Sequence, residues 1–242
     1  MNNTKFLPTL IATTTILFAT IGKVEAITFA GTSSGSWGIP TGTFGAFLSN
    51  EGSETNNRVT WGTSGGGSFT NANYVQYDGL GFSTNLNTLF AVGDLTYRNG
   101  MTSRSSHNFR GDFPLEVELS FTNPFNSAEN FNYNFNILNT RNTTGDPVLD
   151  GDKLRFQANG LTSDTFNFNG VDYTLNLIGF SSDGGNTFVS EFNSPEFSVA
   201  ESMLYAEITA ASPSTDVPEP ATIIGLGLVS VYLAGSLKKK RK

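Results

Sequence analysis

A chain of 242 residues with no cysteine, one histidine and a formal charge of −7 is closed to several chemistries from the outset. Disulfide staples, thiol nucleophiles, thiolate zinc sites and any mechanism needing two histidines are excluded. Charged residues make up only 14% against 26 glycines and 21 phenylalanines, so uncharged polar side chains cover the surface where Lys and Glu normally stand, as is common in turn-rich extracellular β proteins.

Met1 to Lys5 is a short polar start ending in a positive charge, and Phe6 to Ile21 is an apolar, Thr-rich run. Val24-Glu25-Ala26 then places small residues at the two positions that a signal peptidase reads. This order predicts a signal peptide over residues 1–26, cut after Ala26 to leave Ile27 as the new N-terminus. An N-terminal anchor or a buried helix is the competing reading, and the run is too interrupted to favour a permanent span.

About 190 residues follow, enough for one domain with a full core. Setting aside the five basic residues of the C-terminal tail, Lys5, Lys23, Glu25 and Glu219 leaves seven basic and 19 acidic residues, a formal charge near −12. Such a domain is repelled by nucleic acid and by anionic lipid, which leaves cations and neutral polysaccharides as partners.

Period-two alternation dominates this middle. Strands are predicted at Arg58–Gly62, Tyr74–Tyr77 and Leu89–Tyr97. Leu115, Val117, Leu119 and Phe121 alternate with Glu116, Glu118 and Ser120; Phe131, Tyr133, Phe135 and Ile137 alternate with Asn132, Asn134 and Asn136. These two runs read as an antiparallel hairpin with Asn123-Pro124 in its link. Leu154–Phe156, Thr165–Phe168, Val171–Phe180 and Met203–Thr209 complete the set, with Asn169-Gly170 marking a tight hairpin. Many short strands between Gly, Asn and Asp clusters predict an all-β fold, an antiparallel two-sheet sandwich of jelly-roll type.

Candidate sites are few. Asp146, Asp150 and Asp152 lie in one Gly-containing loop and supply hard oxygens suited to Ca2+, without the EF-hand spacing. The other reading is a turn with solvated carboxylates. Trp37 and Trp61 are candidates for glycan contact through an aromatic platform with Tyr74, Tyr77 and Tyr97, or else they belong to the core. Glu116 and Glu118 share one strand face and read as its solvated side, whereas a glycosidase needs two carboxylates facing each other across a sugar. His107, beside Ser105 and Ser106, has no nucleophile-elbow pattern around it. No catalytic residue is assigned.

The C-terminus carries the most specific signal. Val217-Pro218-Glu219-Pro220 leads into the uncharged run 221–237, and Lys238 to Lys242 form a basic tail. Seventeen helical residues span about 25 Å, just enough for a thin hydrocarbon core. The basic tail favours the cytoplasmic side, which puts everything before the span outside. The two prolines forbid helix through the motif and leave Glu219 on extended, accessible backbone.

This tripartite end resembles the PEP-CTERM sorting signal of Gram-negative bacteria that make extracellular polysaccharide. The resemblance implies recognition by an exosortase, a membrane transpeptidase acting near the motif, so that the span is a transit handle; a plain tail anchor is the alternative. The middle resembles the choice-of-anchor K domain, through Ser34-Gly35-Ser36-Trp37-Gly38, Val59-Thr60-Trp61-Gly62, Val92 to Gly100, Leu119 to Pro124 and Ile178 to Gly185. That family is named for where it is found rather than for an activity.

The expected organisation is a signal peptide at 1–26, a β-sandwich at 27–211, and a linker plus sorting signal at 212–242. The expected function is that of an exported surface or extracellular-matrix protein with a non-catalytic cargo domain. Its expected processing partners are signal peptidase and exosortase. The alternatives are an exopolysaccharide-binding module and a polysaccharide hydrolase.

Overall fold

Strands form wherever apolar and polar residues alternate, because a pleated strand sends successive side chains to opposite faces. A computed structural model of the chain describes residues 27–40, 46–62, 72–100, 111–156 and 163–210. The predicted signal peptide with Ala26, the motif Val217, Pro218, Glu219 and Pro220 with its span and tail, and His107 with Ser105 and Ser106 lie outside the described residues. Among the described residues no helix is long and apolar enough to cross a membrane.

The described chain is all-β. Its strands are β1 (Thr28–Trp37), β2 (Phe47–Ser49), β3 (Arg58–Trp61), β4 (Asn73–Gly79), β5 (Gly81–Asn85), β6 (Leu89–Asn99) and β7 (Gly111–Asn123). There follow β8 (Ser127–Leu138), β9 (Asp152–Phe156), β10 (Ser163–Phe168), β11 (Val171–Ser181), β12 (Glu191–Ser194) and β13 (Ser198–Ala210). They form two antiparallel sheets, ordered β12-β9-β8-β7-β1-β5 and β10-β11-β13-β6-β4-β3-β2, packed as a β-sandwich. The edge strands are short: five residues in β5, four in β12, six in β10 and three in β2.

The predicted hairpin is β7–β8, with Leu115 opposite Tyr133 and Val117 opposite Phe131. Its link is shorter than the alternation implied, since β7 and β8 run on to Asn123 and back from Ser127. Asn169-Gly170 turns β10 into β11 with positive φ at both residues, as a two-residue hairpin turn requires.

Between the sheets lies an aromatic core. Phe29 of β1 meets Phe166 and Tyr173 of the opposite sheet at ring-centroid distances of 6.2 and 5.3 Å. Phe180 of β11 meets Phe135 and Phe156 at 6.1 and 4.9 Å. Edge-to-face and offset pairs of this kind add to the burial of apolar area, which has to hold a domain that has no disulfide.

The chain crosses from one sheet to the other at Gly79-Leu80-Gly81, between β4 and β5. At this corner Ser33 of β1 donates its N–H to the Leu80 carbonyl at 2.8 Å, and its hydroxyl accepts the Leu80 N–H at 2.8 Å. The same hydroxyl also bonds the Val92 carbonyl of β6. The Glu54 carboxylate accepts the Gly35 N–H of one sheet at 3.1 Å and the Gly79 N–H of the other at 2.6 Å. Tyr77 fills the space between, its ring flanked by Gly35 and Gly93, where any Cβ would overlap it.

Both described ends lie at one end of the sandwich. Thr28 pairs with Asn85, and Asn87, in the turn that follows, donates its N–H to the Ile208 carbonyl at 2.9 Å. Overpacking a close-packed interior costs about 1–3 kcal/mol, so Gly93→Ala is expected to destabilise the domain by at least that much in urea melts. Gly81→Ala, whose Cβ would have only the Gly31 carbonyl at 4.0 Å, is expected to stay within about 0.5 kcal/mol of the parent.

Candidate functional site

The three loop aspartates lie at the end of the sandwich opposite Thr28 and Ala210, and each is engaged differently. Asp146 accepts the N–H groups of Val148 and Leu149 at 2.8 and 3.3 Å, a local turn cap. Asp150 accepts those of Thr143, Thr144 and Gly145 at 3.2, 3.0 and 2.9 Å. Asp152 accepts the Thr140 N–H at 2.8 Å, and the Tyr97 hydroxyl lies 3.5 Å from its other oxygen. The expected Ca2+ set of Asp146, Asp150 and Asp152 is therefore not gathered around a shared point. Among the described residues no group of three His, Cys, Asp or Glu side chains is placed to hold a metal. Nor are they all solvated: Asp150 and Asp152 are only 3% and 2% exposed.

Their environments push two of them apart. Burial raises the Asp150 carboxyl, but the N–H bonds from Thr144, Gly145 and Thr143 outweigh it and leave it below the usual range. Burial pushes Asp152 up to about 7 against the Thr140 bond, with the nearby Glu196 charge adding to the rise. Glu196 is itself raised, first by burial, against bonds from Asn99 and Asn142. Asn99 donates to the Ser194 carbonyl at 3.1 Å and to Glu196 at 3.0 Å, and the Ser194 hydroxyl donates to the Tyr97 carbonyl at 2.8 Å. These bonds clamp the end of β12 and the turn before β13 onto β6.

The glycan platform of Trp37 and Trp61 is also corrected. Trp37 is 2% exposed and Trp61 is fully buried. Trp37 packs on Phe113 and Phe135 at 4.9 and 5.6 Å, and Trp61 on Tyr97 at 6.0 Å. Both occupy inward positions of their strands, so neither offers a face to a sugar. Tyr77 and Tyr97 are core residues too; of the five aromatics, Tyr74 alone stays partly exposed on an outer face.

Glu116 and Glu118 do lie on an outer face, that of the six-stranded sheet, opposite Ser36 and Ser34 of β1. With Glu54 and Thr55 they line a polar hollow of about 560 Å³. Glu54 is already held by two backbone N–H groups of the corner.

The outer face of the seven-stranded sheet holds an arrangement with no trace in the linear sequence. Register aligns Phe47, Thr60, Tyr74, Arg98 and Val199 in one row across five strands, and Ser49, Arg58, Gln76, Thr96 and Glu201 in the next. The Arg58 guanidinium lies 4.0 Å over the Tyr74 ring, donates to the Gln76 side-chain amide oxygen and pairs with Glu51 at 2.7 Å. Gln76 passes the network to Asp78 at 2.6 Å, and Asn57 fixes the other Asp78 oxygen at 3.0 Å. Two hollows flank Thr96 on this face, one of about 490 Å³ beside Tyr74 and Arg98 and one of about 230 Å³ beside Asp94 and Met203. Burial raises the Asp94 carboxyl, and the Glu201 and Asp78 charges raise it further.

No protein-family model matches the chain, and no curated protein matches it.

Because the folded pKa of Asp152 is raised, the folded state holds more protons than the unfolded state between pH about 4 and 7, and stability falls as pH rises through that window. The gap between about 7 and the ordinary 3.8 is worth at most about 4 kcal/mol. Asp152→Asn is expected to raise the melting temperature at pH 7.5 and to flatten its decline from pH 5 to 8, read by thermal melts across that range. Because N–H groups already occupy the loop carboxylates, Ca2+ is expected to leave the melting temperature unchanged in scanning calorimetry; a Ca2+-dependent rise would reverse this.

Proposed function

We propose that the chain is an exported surface or extracellular-matrix protein of a Gram-negative bacterium. In this reading a leader over residues 1–26 is cut after Ala26, residues 27–211 form a non-catalytic cargo domain of jelly-roll type, and residues 212–242 are a PEP-CTERM-like signal handled by an exosortase. The C-terminal helix anchors the chain in the inner membrane only until processing. The observation that carries the reading is the position of the domain's ends. Thr28 and Ile208 meet through the turn at Asn85–Asn87, so leader and sorting segment attach to the same end of the sandwich. An anchor at that end stands remote from the loop of Asp146, Asp150 and Asp152 at the other, which is the geometry a displayed cargo needs.

Second to this stands the reading as a polysaccharide-binding module, favoured by the outer face of the seven-stranded sheet. The hydrolase reading gains only the shared hollow of Glu54, Glu116 and Glu118, where Glu54 is committed to the fold. Replacing Pro218, Glu219 and Pro220 together by Ala is expected to leave unprocessed protein in the inner membrane, read by fractionation and intact mass. Processed protein at the surface would overturn the exosortase assignment.

A further inference from the structure

The outer face of the seven-stranded sheet combines three properties that ordinary solvated strand faces lack. It is hollowed on both sides of Thr96, with apolar side chains at its margins: Phe47 is 37% exposed, Val199 48% and Met203 39%. Its polar groups are planar and fixed in advance, since Glu51, Arg58, Gln76, Asp78 and Asn57 form one continuous chain of bonds. Groups held in this way lose little freedom when a ligand docks, which is where a shallow site gains its affinity. Its five-strand rows are long. At ~4.8 Å between strands they extend about 19 Å, room for several pyranose rings in line.

From this geometry we infer that the face is a binding trough for an extended, uncharged polysaccharide lying across β2, β3, β4, β6 and β13. A pyranose ring presents an apolar C–H face and a rim of hydroxyls that both donate and accept. The flat surface made by Tyr74 and the overlying Arg58 suits the first, with Phe47 and Val199 closing the ends of the row. The fixed amide, guanidinium and carboxylate groups suit paired hydroxyls on the second. Charge selects the class. Arg58 is neutralised by Glu51, and Arg58 and Arg98 stand among Glu51, Asp78, Asp94 and Glu201 in a domain that is acidic throughout, so a polyanion is repelled. The inference rests on the reading of the domain as an exposed extracellular cargo. Binding and sorting are measured separately, so either can fail while the other stands.

The test is affinity electrophoresis of the full-length chain in mild detergent. Native gels carry laminarin, hydroxyethylcellulose, galactomannan or dextran as neutral polymers, and alginate or DEAE-dextran as charged ones. Retardation by at least one neutral polymer is expected. It should persist in Tyr74→Phe and in Asn132→Ala, which lies on the opposite sheet, and be lost in Phe47→Ser or Tyr74→Leu. Phe47 is exposed on a three-residue edge strand, so its replacement leaves the core intact, and near-ultraviolet circular dichroism checks each variant. No retardation by any neutral polymer, retardation by charged polymers alone, persistence in both Phe47→Ser and Tyr74→Leu, or loss in Asn132→Ala would each overturn the inference.

Discussion

The sandwich depends on the corner where β4 becomes β5. Two sheets normally pack about 10 Å apart, yet here a single residue, Leu80, carries the chain from one to the other. Such a crossing brings backbone of both sheets close together and strands polar groups away from their ladders. Ser33 and Glu54 take up those groups, and glycine at 35, 79 and 93 makes the approach sterically feasible. Backbone donors buried at such a junction have to be paired; the acidic side chain does here what a ladder does elsewhere. The position of β1 beside β5, and through it the placing of Phe29 and Trp37 in the core, follows from this junction.

Where alternation was strong, the fold was legible in the sequence. β7 and β8, and β11 as far as its register shift after Leu177, bury Leu, Val, Phe, Tyr and Ile at every second position, and the hairpin turn at Asn169-Gly170 has a residue code of its own. β1 was illegible for a physical reason. Its inward positions between Phe29 and Trp37 include Ser33 and Gly35, which are small because Tyr77 and the corner occupy the space, and small residues carry no hydrophobic period. β5 and β12 do alternate buried and open positions, but each has a single apolar inward side chain, Phe82 and Phe192, beside a small polar one, Thr84 and Ser194, so no hydrophobic period shows. The tryptophans followed the simple rule that inward strand positions bury their side chains, and the core reading of them was the sound one.

The loop aspartates and the outer-face trough were hidden for different reasons. Spacing alone told nothing of where Asp146, Asp150 and Asp152 would point. A carboxylate near a metal and a carboxylate capping backbone N–H groups have the same local sequence, and only the fold decides between them. The trough joins residues 47, 58, 74, 98 and 199, which become neighbours through register alone. No linear motif could announce it, because its period runs across the strands rather than along them.

The shortness of the edge strands bears on crowding. Where many copies of a β protein are packed side by side, an open sheet edge invites the next copy to continue the ladder, and fibres grow. Among the described residues the four outermost strands are no longer than six residues, and two of them carry acidic side chains, Asp164 in β10 and Glu191 in β12. In a dense layer of such domains, neighbours that touch at these outermost strands meet a short ladder and a like charge, which discourages them from knitting into one another.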